Sequence, residues 1–427
     1  MTTTTTTTTT RATGERRTTR ERKRETNAET TRRRTDRTPR ARDDGPTGRR
    51  AREASILMTV LVPVDVLLRD PHRDRGLLSS ILVTRPTRRR RERKRKKSEL
   101  DTRPTRTPRR MNIVERARRV RSPDDNGARV WYRGRCPRDA SSTRGVTMFV
   151  NGLSNACFQL TPFADAALAR GRAVVEWDMR GHGESDDPSS YATVSARSFA
   201  KDAWAVIDDF VGSEAAAARD VDVVAYSYGT QIALEMIRAR PRRVRAFISL
   251  LGTPERILDG LLPATVANAT IFTATRVFGE RASSFVVGAA LKLAATAPMV
   301  IWALGRATGY LGSQYRAFRP FFKHLWRLDA RTWFRCVVDG HERGSADVFA
   351  DANRRWYAAL IEGDRDFAAP QRVIRSWERY ADFFILLPGV AHDGPTSHRE
   401  EMTAILHDVY DRADRKFSST SRLRDGD

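Results

Sequence analysis

Cysteine is scarce in this 427-residue chain: Cys136, Cys157 and Cys336 are odd in number and widely spaced. They form neither a disulfide framework nor a metal-ligand cluster, so a reducing cytoplasm is the expected compartment. Long apolar runs are also scarce near the front of the chain. Residues 55–68 make an island of about 14 residues broken by Pro63 and Asp65, too short to span a bilayer. It also lies too far from Met1 for an ordinary signal peptide. Aromatics are missing from the densest basic run, residues 85–97 (RPTRRRRERKRKK). Without rings to stack on bases, nucleic acid would be met there only non-specifically and salt-sensitively; a localisation signal is the other reading. No cofactor motif is present, and neither a cofactor nor a metal is expected.

The formal net charge of +25 first suggests a polyanionic partner, but its location changes that reading. Residues 1–110 hold 33 Lys+Arg against 14 Asp+Glu, and the rest of the chain 44 against 38. The extreme charge therefore belongs to the front segment. That segment opens on a threonine tract and has no hydrophobic period, so it is expected to be a disordered basic Thr/Arg-rich extension. Met111 opens the first stretch of ordinary composition. The extension is accordingly read as non-functional or as an artefact of start-codon choice, with a genuine basic tail as the alternative.

From Met111 the chain alternates. Residues 113–120 and 128–134 read as strands joined by a Pro-Asp-Asp-Asn-Gly turn. Residues 146–150, 173–177, 244–251, 356–361 and 383–387 are apolar runs of strand length. Helical spacing marks 158–169, 195–211, 371–379 and 397–409. Such alternation implies an α/β core, residues 111–253 and 353–427, built on a mostly parallel sheet covered on both faces. Residues 254–352 are helix-like with no clear strand, and read as a helical cap inserted over the carboxyl ends of the strands.

One stretch carries the chemistry. The residues from Val221 to Ala225 read as a buried strand, and 230–240 as a helix with Ile232, Ala233, Met236 and Ile237 on one stripe. Ser227 sits in the turn between them, with the small residues Ala225 and Gly229 two positions to either side. This is the strand–turn–helix setting of the G-x-S-x-G nucleophile elbow, with alanine in place of the first glycine.

Further motifs stand in order around it: VNGLSN (150–155), DMRGHGES (178–185), AYSYG (225–229), GDRDFAAP (363–370) and GVAHDGP (389–395). On these residues, 111 to about 415 resembles the α/β-hydrolase superfamily in its serine-hydrolase form with a helical cap. The resemblance implies the α/β-hydrolase fold, a nucleophile–acid–histidine chain order, and an oxyanion loop at 150–155.

Serine needs a base within hydrogen-bond reach and a carboxylate to orient that base. Of seven histidines, His392 alone follows the last expected strand directly. His72 lies in the extension, His182 in a Gly-rich turn, His324 and His341 in the insertion, and His398 and His407 on the closing helix. Asp364 and Asp366 share the loop after 356–361. The superfamily's G-x-x-D-x-x-x-P spacing, Gly363 to Asp366 to Pro370, implies Asp366 as the acid and leaves Asp364 a solvated loop residue. Glu255 occupies a position where some relatives place the acid. The oxyanion donors are expected to be the backbone N–H groups of Tyr228 and Leu153. Most relatives carry His-Gly where this chain has Asn151-Gly152; the donor is main-chain, so the hole should survive. Asp178, Arg180 and Gly181 are expected to shape a turn.

Residues 286–304 are the most apolar run, interrupted by Lys292 and Pro298. A cap wall facing the sheet is the preferred reading over a membrane span. An apolar cap suggests an apolar acyl or ester substrate, lipid metabolism, and transient contact with a membrane or lipid surface. The expected activity is hydrolysis of a carboxylic ester. The alternatives are carbon–carbon hydrolysis or acyl transfer on the same three residues, or a non-catalytic α/β-hydrolase-fold binding protein. Serine at the elbow argues against dehalogenase or epoxide-hydrolase chemistry, for which the superfamily uses aspartate there.

Overall fold

The side chains of β3 (Val146–Val150) alternate between two interiors. Met148 and Val150 enter one hydrophobic cluster and Phe149 enters another, on the opposite face of the sheet. The computed structural model describes residues 113–138, 145–212, 220–307 and 311–424; the expectations for 1–110, including 85–97, lie outside them. Within them, β1 (Ile113–Arg121), β2 (Arg129–Pro137), β3, β4 (Ala173–Trp177), β5 (Val221–Tyr226), β6 (Val244–Leu250), β7 (Tyr357–Gly363) and β8 (Phe383–Leu387) form one eight-stranded sheet. Its order is β1-β2-β4-β3-β5-β6-β7-β8. The β1–β2 and β2–β4 pairs are antiparallel and the remaining pairs parallel. The sheet is thus mixed but mostly parallel, as the alternation implied.

Helices cover both faces. On the side of Met148 lie α2 (Ala196–Val211), through Phe199, Ala203 and Ile207, and α3 (Gly229–Ala239), through Ile232 and Met236. Ser195, expected as the first residue of this helix, is its N-cap and accepts the Ser198 amide at 3.1 Å. On the side of Phe149 lie α1 (Thr161–Ala169), through Phe163 and Ala167, and the closing helix α11 (Arg399–Arg424), through Met402, Leu406 and Tyr410. That closing helix runs well past the expected 397–409, because Tyr410 and Ala413 continue its buried stripe. Conversely, the helix expected over 371–379 is only one turn, α10 (Gln371–Ile374). From Ser376 on, amides bond three residues back and the Ser376 hydroxyl donates to the Val373 carbonyl, so the turn tightens and ends.

Between β6 and β7 the chain is helical and, among the described residues, carries no strand. Six helices follow one another: α4 (Ala264–Phe272), α5 (Gly279–Thr296), α6 (Pro298–Ala307), α7 (Tyr315–Leu325), α8 (Ala330–Glu342) and α9 (Ala346–Phe349). The apolar run 286–304 departs from its expectation. It breaks ahead of Pro298 into α5 and α6, bent by 94°, and no single described helix is long and apolar enough to cross a membrane. Nor does the run wall the sheet. Its α5 half packs on α8 and α7, and much of its apolar surface faces outward.

Candidate active site

Ser227 follows the buried strand β5 and is forced into the left-handed region at φ +54° as the chain reverses into α3. A serine held there is strained, and the surroundings fix it. A Cβ on Gly229 would lie 2.5 Å from the Val150 carbonyl oxygen, and one on Gly152 would lie 2.8 Å from the Ser227 Cβ. Both positions therefore need glycine so that the loop after β3 can close on the elbow.

The chain returns to Ser227 twice more, at the carboxyl ends of β7 and β8. His392 Nε2 lies 2.9 Å from Ser227 Oγ. Its Nδ1 faces both carboxylate oxygens of Asp366, at 3.0 and 2.9 Å. A carboxylate only accepts, so Nδ1 carries the proton and Nε2 is left to accept from the serine hydroxyl. The Asp366 side chain is fully buried, and Oδ1 also accepts the Ala368 and Ala369 amides at 2.8 and 3.1 Å. Ser227, His392 and Asp366 thus stand in one hydrogen-bonded row.

The other candidates fall elsewhere. Asp364 is exposed and takes the Gly389 amide. The Glu255 carboxylate accepts Trp377 Nε1 at 2.9 Å. His341 meets Asn268, His398 meets Ser397, and His407 lies beside Arg170. His182 and His324 pack 6.0 Å apart, ring centre to ring centre, one on the 178–185 loop and the other on α7. Burial pushes His182 down to about 4 and His324 down to about 3, so both are neutral in the fold. Asp178 closes its loop by accepting the Cys157 and Glu184 amides at 2.7 and 3.0 Å. Arg180 is buried against Asp202 and Asp125 at 2.8 and 3.1 Å.

In the loop after β3 and directly after Ser227, the Leu153 and Tyr228 amides donate to no backbone carbonyl among the described residues. Asn151, in the place of the superfamily's usual histidine, is buried and its Nδ2 reaches the Trp177 carbonyl at 3.4 Å. Ser154 adopts φ +65° and its Oγ accepts Trp333 Nε1 at 2.6 Å, which ties the loop to α8.

Several supporting residues escaped the sequence reading. Tyr226 stacks on the imidazole at 5.4 Å and donates its hydroxyl to the His392 carbonyl at 2.7 Å. Its place beside Ser227 in the elbow was the only available signal. Glu362 lies at the end of β7; burial, and then the charge of Asp366, raise its carboxyl well above the usual range. Asp393, next to His392, is buried and accepts the Gly312 and Ser313 amides at 2.9 and 2.8 Å. Among the described residues no group of three or more His, Cys, Asp or Glu side chains is arranged to hold a metal ion.

Comparison with known proteins agrees with this architecture. The family profile described as "Alpha/beta hydrolase family" matches residues 148–405, more than half of the chain. Solved structures with the same fold include an esterase from Exiguobacterium antarcticum, 14% identical, TM-score 0.51, covering 69% of this chain and 98% of that one. A thermophilic esterase from Thermogutta terrifontis is 13% identical, with TM-score 0.53 and coverage of 70% and 99%. An epoxide hydrolase from Vigna radiata is 15% identical, with TM-score 0.51 and coverage of 70% and 98%. At such identities these likenesses speak to the fold alone. No curated protein sequence matches the chain significantly. With an eight-stranded, mostly parallel sheet, a strained serine after its fifth strand and the profile match over most of that sheet, this chain belongs to the alpha/beta hydrolase family.

Proposed function

We propose that the protein is a serine hydrolase that cleaves a carboxylic ester, with Ser227 as nucleophile, His392 as general base and acid, and Asp366 as the group that orients the imidazole. The hydrogen-bonded row from Asp366 through His392 to Ser227 carries this reading. As Oγ attacks the ester carbonyl, its proton passes to His392 Nε2, and the imidazolium is held against the buried Asp366 carboxylate. The Leu153 and Tyr228 amides face the developing oxyanion; a single such donor typically contributes about 100- to 1000-fold in rate. Collapse breaks the ester C–O bond, the leaving alkoxide takes the proton from Nε2, and an acyl-enzyme remains. Water then attacks the acyl carbon, giving its proton to the same nitrogen, and Ser227 recovers that proton as the carboxylic acid departs. An apolar acyl group is the favoured substrate, because aromatic rings border the imidazole: Tyr226 stacks on His392 and Phe367 meets it edge-on at 6.0 Å.

Labelling with a fluorophosphonate probe tests the assignment. The wild type should be labelled and Ser227→Ala should not; equal labelling of both, or of neither, removes the serine mechanism. A series of p-nitrophenyl esters tests the acyl preference, and acetyl favoured over octanoyl would count against an apolar acyl site.

A further inference from the structure

The helix α5 is apolar on two sides. It packs Val287, Leu291 and Ala295 inward, beside Ser284, and turns Phe285, Val286 and Leu293 to solvent, with Phe285 78% exposed. Across the 94° bend, α6 does the same with Met299, Val300 and Leu304. Eleven of the twelve large apolar side chains that are exposed among the described residues lie between 266 and 326, so the exposure is a local feature of the insertion. Scattered exposed apolar residues need no explanation, whereas two adjoining helices with apolar outer faces do.

The charges on this face are of one sign. Arg281, Lys292 and Arg306 are exposed on α5 and α6. The one carboxylate of these helices, Glu280, is engaged by Arg331 and Arg335. A second copy of the chain seated symmetrically on this surface would set cation against cation. The Lys/Arg-rich residues 1–110 carry the same sign and are disfavoured for the same reason. An anionic lipid surface has the complementary charge and, beneath its headgroups, an apolar layer for the side chains between those cations.

We propose that the outer faces of α5 and α6 form a docking surface for an anionic phospholipid bilayer, on which the protein lies without spanning it. The apolar side chains enter the boundary between headgroups and acyl chains, and Arg281, Lys292 and Arg306 meet the phosphates. This assignment does not depend on the chemistry at Ser227.

The test uses the full chain and sedimentation with vesicles of phosphatidylcholine alone or mixed with phosphatidylglycerol. The wild type is expected to bind the mixed vesicles. Leu293→Glu/Val300→Glu should weaken that binding by about tenfold or more. Both substituted side chains are exposed, so the melting temperature should stay unchanged. Arg281→Glu/Lys292→Glu keeps the apolar face and should lose the preference for phosphatidylglycerol. Three results would overturn the proposal. The wild type could fail to bind, or the Leu293/Val300 variant could bind as tightly as wild type, leaving residues 85–97 as the carrier. The wild type could instead prove to be an oligomer that this variant dissolves, making the face a subunit interface.

Discussion

The sheet and the helical insertion use apolar residues in opposite ways. In the interior of the sheet the apolar runs are buried, with β3, β4, β5 and β7 enclosed along their whole lengths, and only toward the edge, in β8, is such a run half-buried. In the insertion, the most apolar run, 286–304, buries Ala295 but presents Val286, Leu293 and Val300 to solvent. Composition alone therefore reports burial where a strand can lie in a parallel sheet, since such a strand is covered on both faces by its own crossover helices. It does not report burial in a helix, which needs only one covered face and leaves the choice of covering partner open.

That contrast can be broken at the site first. If the strand ends exist to hold Ser227, His392 and Asp366 in register, Ser227→Ala should abolish ester turnover by about 10⁶-fold in kcat. Asp366→Asn keeps the shape but presents an amide to Nδ1, so the imidazole is held in the wrong tautomer. A loss of about 10⁴-fold in kcat with little change in KM is expected. A drop below tenfold would leave Asp366 a loop-closing residue that accepts the Ala368 and Ala369 amides.

Packing offers the next comparison. Phe163 is fully buried between α1 and the sheet, and Phe285 is 78% exposed on α5. Phe163→Ala should cost about 3–5 kcal/mol in urea unfolding, and Phe285→Ala should stay within about 0.5 kcal/mol. A large cost at Phe285 would mean that this helix face is covered in solution.

The smallest effect is expected at the seam, where His182 of the core meets His324 of the insertion. In the unfolded chain both titrate at about 6.5, while burial holds them down to about 4 and about 3 in the fold. As pH falls from the unfolded value toward these folded values, the unfolded chain binds protons that the folded chain refuses, so stability falls with pH. Asp178, pushed up to about 6 by burial, acts with the opposite sign over an overlapping window, so a variant is more telling than the wild-type curve. His182→Asn should flatten the acid limb of the melting temperature against pH by the equivalent of roughly 2–3 kcal/mol near pH 4. An unchanged limb would mean that His182 is hydrated in solution.

What could be read from sequence follows the same division. The strands were legible because β-branched and aromatic runs of five to seven residues, bounded by turns, have few alternatives. Ser227 and His392 were legible because each sits in a short loop directly after such a strand, whereas Asp366 was told from Asp364 only by the spacing that the superfamily resemblance implies. Tyr226, Asp393 and the Trp333–Ser154 contact were not, since each acts across elements that only the folded chain brings together. The orientation of 286–304 was misread for a related reason. Pro298 marks an interruption in the sequence, but the size of the corner it makes between α5 and α6, 94°, is not written in the residue itself.

Asp393 leaves little slack at one corner of the molecule. A single peptide link joins it to His392, and its carboxylate grips the Gly312 and Ser313 amides just beyond α6. Lifting the insertion there would break two charge-assisted bonds and drag the backbone that carries the imidazole. A shift of residues 312–313 is therefore felt at the imidazole through two hydrogen bonds and one peptide link.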